Sequence, residues 1–302
     1  MKLNQLRDMV TIVEHGSLRA AARHLELAQS ALTRSIRALE RELGTTLFER
    51  EARGMVLTPM GKLFFQRASA VVTELRRARE ELEQTSGGMR GTVVAALSIM
   101  PHVGMLPHSL KKFWQRYPQV KLQLVEGLFP DVESALRNGT IDFYLGAAPQ
   151  TTPAPGLSMQ VLFENRRAVV CRKGHPLAGV RSLKALVQAN WAITAVDYNA
   201  EEDIARLFKS HGLPAPPVLL HARSAMSIMV SLAHSDLLAM LPVQWGEFPM
   251  TRDTLQTIRV RELLPAPAIV MIRRPDLPLT PAAEFLCDLL RRFGPDSAQP
   301  SA

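Results

Sequence analysis

Residues 17 to 40, SLRAAARHLELAQSALTRSIRALE, constrain this chain more than any other stretch. Ser17 is a favourable helix N-cap, Ala20, Ala21 and Ala22 are small enough to let a neighbouring helix approach, and Leu25 and Leu27 give apolar anchors around a turn. The second half predicts another helix, in which Ala31, Leu32, Ile36 and Leu39 share one face. Gln29, Ser30, Thr33, Arg34 and Arg37 are left to point elsewhere. A packing helix, a tight turn and a second helix with that polar face are the layout of a helix-turn-helix DNA reader, because such side chains bond phosphates and base edges. An ordinary amphipathic pair with a solvated outer face has the same periodicity, so the flanking sequence decides between the two.

Leu43-Gly44 supplies a glycine C-cap, and Leu47-Phe48-Glu49-Arg50 then precedes Arg53-Gly54 and the apolar run Met55-Val56-Leu57. That order predicts a small β-hairpin, or wing, with Arg50 and Arg53 near its tip and placed to lie along a phosphate backbone. Ahead of the pair, Leu3, Leu6, Met9, Val10 and Val13 fall on one face of a first helix. Three helices and a wing make a head of about 60 residues, for which an independent core is marginal. Thr58-Pro59 then opens a long helix that extends the head, a cap followed by proline at the first helical position. Its apolar residues Phe64, Ala68, Val71, Leu75, Ala78 and Leu82 follow at spacings of 4, 3, 4, 3 and 4, an a/d heptad seam among charged neighbours. A seam of that kind predicts a partner helix and self-association. Residues 87 to 91, GGMRG, end the helix as a hinge.

Beyond residue 91 strands alternate with helices. Strands are predicted at 92–97, 120–125, 141–147, 168–171, 191–194, 218–220, 237–241 and 268–272, and helices at 106–117, 132–137, 183–188, 201–211, 225–233 and 281–293. Strand-helix-strand order of this kind builds a parallel sheet with right-handed crossovers and a ligand crevice beyond the carboxyl ends of the strands. Its repetition predicts two α/β subdomains around a cleft, the chain crossing near residues 163–166 and returning near 265–268. The expected division is a winged head over 1–58, a linker helix and hinge over 59–90, and an α/β region over 91–302. Within that region, subdomain I takes 91–163 and 268–302, and subdomain II takes 164–267.

A hydrophobic content of 47% over 302 residues fits a globular protein with two or three cores. Net charge is +8, and residues 1 to 90 carry 15 Lys and Arg against 11 Asp and Glu, the remainder 21 against 17. The shorter part is therefore the more basic per residue, which permits nucleic-acid binding without requiring it. Met1-Lys2-Leu3 runs straight into the first helix with no export signal, and no apolar run approaches the roughly 20 residues of a membrane helix, so a cytoplasmic protein is expected. Cys171 and Cys287 belong to no C-x-x-C pair, so buried thiols are expected, with no metal and no cofactor.

The stretches GSLRAAARHL, QSALTRSIRALERELGTTLFER and RGMVLTPMGK resemble, almost position by position, the DNA-binding signature of the LysR-type transcriptional regulators, and the likeness extends over essentially the whole chain. Gly139-Thr140-Ile141-Asp142 and Leu238-Ala239-Met240-Leu241-Pro242 are similar to segments of that family's effector domain. Two departures lie at the start of the second helix, where Ala28 and Ser30 stand in place of the family's common serine and proline. The resemblance implies a winged helix-turn-helix, a long dimerisation helix and a periplasmic-binding-protein-like effector domain of two α/β subdomains. It also implies a homodimer that usually assembles into a tetramer, an operator in double-stranded DNA, a small-molecule effector and contact with RNA polymerase. Within the family, HSDLL near residue 234 and RRPDLPLTPAA near residue 273 resemble regulators of aromatic-sulfonate degradation and of sugar-binding-protein genes.

Candidate effector residues follow from the expected cleft. Ser98 ends the first α/β strand, and Met100, Pro101 and His102 lie in the turn after it. Phe129 and Asp131 follow the second strand, Asp197 lies near another strand end, and Arg223 precedes a helix. Arg223 suits a carboxylate or sulfonate, whereas Asp131 and Asp197 suit hydroxyls or cations. Two other readings compete with regulation. An enzyme would use Ser98, His102 and Asp131, but no G-x-S-x-G elbow and no His or Cys pair of metal spacing supports it. A solute-binding protein would need export and would have no use for the amino-terminal head.

Overall fold

The computed structural model describes residues 1–51, 54–194, 200–222, 224–246 and 248–292. The chain divides into two compact units, Met1–Gly88 with Ser134–Ile141, and Met89–Glu133 with the rest.

In the first unit α1 (Leu3–His15), α2 (Leu18–His24) and α3 (Gln29–Leu43) close around Met9, Ile12, Ala21, Leu32, Ile36 and Leu39, all buried. The Ser17 hydroxyl caps α2 by accepting from the Ala20 N–H at 3.2 Å, and Gly44 ends α3 in the left-handed conformation that favours glycine. The wing is an antiparallel pair, β1 (Phe48–Glu51) with β2 (Gly54–Leu57), in which Phe48 faces Leu57. After it α4 (Pro59–Thr85) begins under a cap from Thr58, whose hydroxyl accepts from the Gly61 N–H at 2.9 Å. A Cβ on Gly61 would stand 2.0 Å from the Leu47 carbonyl oxygen, so the close approach of α4 to the wing requires glycine there.

The heptad seam divides along α4. Phe64 and Ala68 pack into the head's core, against which α1 also lies, because a head of this size buries too little apolar surface on its own. Farther along, Val71 is 50% and Leu82 71% exposed. Arg77, on another face of α4, is buried and donates from Nη2 to the Gly139 carbonyl at 2.8 Å.

The second unit contains two five-stranded sheets. Along the chain come β3 (Arg90–Leu97), α5 (Ile99–Gly104), α6 (Leu106–Arg116), β4 (Gln119–Glu126), α7 (Phe129–Arg137), whose last residues belong to the first unit, β5 (Phe143–Ala147) and β6 (Ser158–Phe163). Then follow β7 (Arg167–Arg172), β8 (Trp191–Thr194), α8 (Ala200–Ser210), β9 (Val218–Ala222), α9 (Ala225–Ala233), β10 (Leu238–Pro242) and β11 (Leu255–Ile258). The last elements are β12 (Ile269–Arg273) and α10 (Pro281–Arg292). Strand order is β4-β3-β5-β12-β6 in one sheet and β11-β7-β10-β8-β9 in the other. α10 returns to pack on α6 and β3, where Phe113, Tyr117, Leu286 and Leu290 share one core. The second core centres on Trp191 and Phe208, edge to face at 5.7 Å.

Both sheets are mixed rather than parallel. β3 runs parallel to β4 and β5, but β12 is antiparallel to β5 and β6, and β7 is antiparallel to β10 and β11. The cause is the crossing: a strand that enters a sheet from the other subdomain starts at the end where its neighbours finish. Arg166 and Pro265 form an antiparallel bridge where the two crossing segments meet. Two strands, β6 and β11, lie where the sequence pattern predicts none, and the helix predicted over 183–188 is one 3₁₀ turn, Leu183–Leu186.

Candidate DNA-reading face and ligand cleft

The head presents its polar helix face as the spacing of α3 requires. Leu32, Ile36 and Leu39 anchor α3 inward, which leaves Gln29, Ser30, Arg34 and Arg37 exposed on the opposite side. Thr33 is half-buried and its hydroxyl donates to the Gln29 carbonyl at 2.9 Å, so toward a ligand it offers chiefly an acceptor. The turn is held by the Leu27 N–H donating to the Ala22 carbonyl at 2.9 Å, and Glu26 within it has φ 55°, an uncommon conformation for a residue with a side chain. Orientation of α3 is further fixed by Asp8 of α1, a buried carboxylate that accepts from the Ser35 hydroxyl at 2.5 Å.

Along the middle and later turns of the helix, Arg34, Arg37 and Arg41 line a groove that continues to Thr45 and Thr46. Arg41 was missed in the sequence, although it stands seven residues after Arg34 and so on the same face. Three guanidiniums and two hydroxyls in one concave surface suit a phosphate backbone. Glu40 sits among them for a structural reason: its Oε1 accepts from the Leu47 and Phe48 N–H groups at 2.8 and 3.2 Å, tying the wing to α3. Arg50 is on β1, opposite Met55; Arg53 lies outside the described residues.

In the second unit a cavity of about 140 Å³ lies between the two sheets. Ser98 and Met100 come to it from the end of β3 and the start of α5, Asn165 from the crossing segment, Arg167 from β7, and Asp203 and Ile204 from α8. Its size is close to that of the roughly 150 Å³ apolar cavity that holds one benzene. Most of the remaining wall is apolar, including Leu128, Ile193, Met240 and Leu241. Arg167 Nη2 donates to Asp203 Oδ2 at 2.7 Å, an ion pair in that wall.

Of the residues expected in the cleft, Ser98 and Met100 line it, whereas Pro101, His102, Phe129 and Asp131 do not. Pro101 is buried within α5, and the His102 ring lies back along it with Nδ1 3.0 Å from the Ser98 carbonyl. Phe129 is buried edge to face against Tyr144 at 5.9 Å, and Asp131 is exposed on the first turn of α7. Asp197 and Arg223 lie outside the described residues. Arg167 and Asp203 line the cleft without being among the residues expected there. The signal available for them was position, Arg167 directly after the crossing segment and Asp203 on the first turn after the carboxyl end of a strand.

Cys171 and Cys287 are buried in separate cores. Burial pushes the Cys171 thiol up to about 11 and the Cys287 thiol higher still, so both are protonated near neutrality. Among the described residues no group of three His, Cys, Asp or Glu side chains is arranged to hold a metal, and no helix is long and apolar enough to cross a membrane.

Comparison with known proteins gives matches at both ends of the chain. Residues 3–62 match the model of the bacterial regulatory helix-turn-helix protein, lysR family, and residues 86–294 match the LysR substrate binding domain. Among curated relatives, the regulator GbpR of Azospirillum brasilense is 28% identical over 78% of this chain and 70% of its own length. The SDS degradation transcriptional activation protein of a Pseudomonas species is 27% identical over 95% of both chains. Among solved structures, CbnR, a LysR family transcriptional regulator, superposes with a TM-score of 0.71 at 20% identity, covering 97% of this chain and 99% of that one. CbnR has also been solved with its target DNA, with a TM-score of 0.70 and 19% identity.

Proposed function

The chain belongs to the LysR family of bacterial transcriptional regulators, with a helix-turn-helix domain for DNA and a substrate-binding domain for an effector, and on that premise we propose how its residues divide the work. Two copies pair through the exposed part of the α4 seam and place two α3 helices in successive major grooves of one operator. Gln29, Ser30, Thr33 and Arg34 meet base edges or the nearest phosphates, and Arg37, Arg41, Arg50 and Arg53 follow the backbone. A small molecule in the cleft favours one arrangement of the two α/β subdomains, and a pair of dimers then bends or spaces the operator differently. This assembly works in the cytoplasm as a tetramer and answers to RNA polymerase at the promoter. Its subject is binding and not catalysis.

The single observation that carries this reading is the face of α3, on which Gln29, Ser30, Arg34 and Arg37 are exposed together while Leu32, Ile36 and Leu39 hold the helix in the core. Titration of labelled operator fragments with the full-length protein tests it. Arg34→Ala is expected to weaken operator binding about tenfold or more and to relax base preference at one position. Its melting temperature should not change, because Arg34 packs on nothing that the core needs. Operator affinity equal to the parent's would remove Arg34 from the reading face.

A further inference from the structure

We propose that the cleft takes a small organic anion, an apolar body carrying one carboxylate or sulfonate, with Arg167 as its head-group residue and Asp203 holding that place when the ligand is absent. The inference rests on the reading of this cavity as the effector site. Among the described residues that line it, Arg167 and Asp203 are the two ionisable ones, and they face each other at 2.7 Å. An ion pair in a largely apolar wall marks the position where a charged ligand group can be neutralised.

Which sign the ligand carries follows from the surroundings of the pair. Arg167 is the more enclosed partner, with 22% of its side chain exposed against 37% for Asp203. Arg167 also belongs to β7, paired on both edges, while Asp203 stands on the first turn of α8, from which its carboxylate can turn to water. Releasing the acid is therefore easier than releasing the guanidinium. The uncharged polar wall is compatible with that sign: Ser98 brings a hydroxyl, and Asn165 and Gln150 bring side-chain amides whose N–H groups can donate to an acid. The charged anchor among them is Arg167, and a guanidinium can hold both oxygens of a carboxylate or sulfonate. A partly exposed side-chain pair is worth about fivefold in an equilibrium constant, which is a small barrier to exchange of one acid for another. The volume of about 140 Å³ accommodates a single ring or a short alkyl chain.

Calorimetric titration of the full-length protein with benzoate, 4-toluenesulfonate and the neutral benzyl alcohol tests the assignment. Both anions should bind more tightly than the alcohol. Arg167→Met, which keeps the length of the side chain, should weaken the anions by about tenfold or more and leave benzyl alcohol unchanged. Asp203→Asn should tighten the anions by up to about fivefold. Anion affinity that survives Arg167→Met, or that falls with Asp203→Asn in a protein of unchanged melting temperature, overturns the proposal, as does an absence of anion binding. Leu128→Trp, which fills the cavity, separates the two readings. If it abolishes benzyl alcohol binding while the anions never bind, the cleft stands and the anion proposal fails; if it leaves every probe unaffected, the cleft is not the site.

Discussion

Ala28 sets how α3 begins. It adopts the extended N-cap conformation but supplies no side-chain hydrogen bond, so the first N–H groups of the reading helix lack the partner that a serine hydroxyl would give. Ser17, at the start of α2, does make that bond, and the contrast within one motif isolates the effect of the side chain. Ala28→Ser is expected to stabilise the head by about 0.5–2 kcal/mol and to raise its melting temperature by a few degrees, measured by calorimetry. A variant that melts at or below the parent's temperature would contradict the uncapped start. Ser30, two residues on, leaves an N–H at a place where proline would have none, so the two departures together leave backbone donors at the amino end of α3.

Among the elements, α4 has the most divided role. Its first turns complete the head through Phe64 and Ala68, and its later turns leave Val71, Ala78 and Leu82 facing outward along one stripe. Val71→Glu with Leu82→Glu should therefore shift the protein toward the monomer without unfolding it, since neither side chain packs in the head's core. Sedimentation or light scattering reads this directly, and an unchanged mass would exclude the stripe as the pairing surface. Legibility also differs by element. α3 could be read because caps, apolar period and polar face agree over 15 residues. β6 could not, since it is an edge strand whose Met159 and Val161 point outward, which blurs the alternation, and β11 has only four residues. Over 183–188 the helical pattern is real but short, and after one turn the chain is already committed to Trp191 and β8. In the cleft, Ser98 and Met100 were legible from the strand end they follow, whereas Arg167 and Asp203 meet from 36 residues apart, a convergence that no local spacing records.

At the scale of the molecule, a DNA-binding head and a substrate-binding domain occur in one chain on either side of a long helix, and each family model matches its own part of it. Such an arrangement makes sense as a linkage: a ligand that binds one subdomain arrangement better changes DNA affinity, and DNA must change ligand affinity by the same factor. The central claim is that this chain reads a specific DNA sequence as a symmetric pair. Selection of duplexes from a random pool by the full-length protein, followed by sequencing, measures that claim most directly. The expected result is enrichment of two inverted half-sites whose centres lie about 10 base pairs apart or at multiples of that spacing, lost when Arg34 and Arg37 are both changed to alanine. A recovered pool with no enriched sequence, or the same enrichment by the double variant, would contradict it.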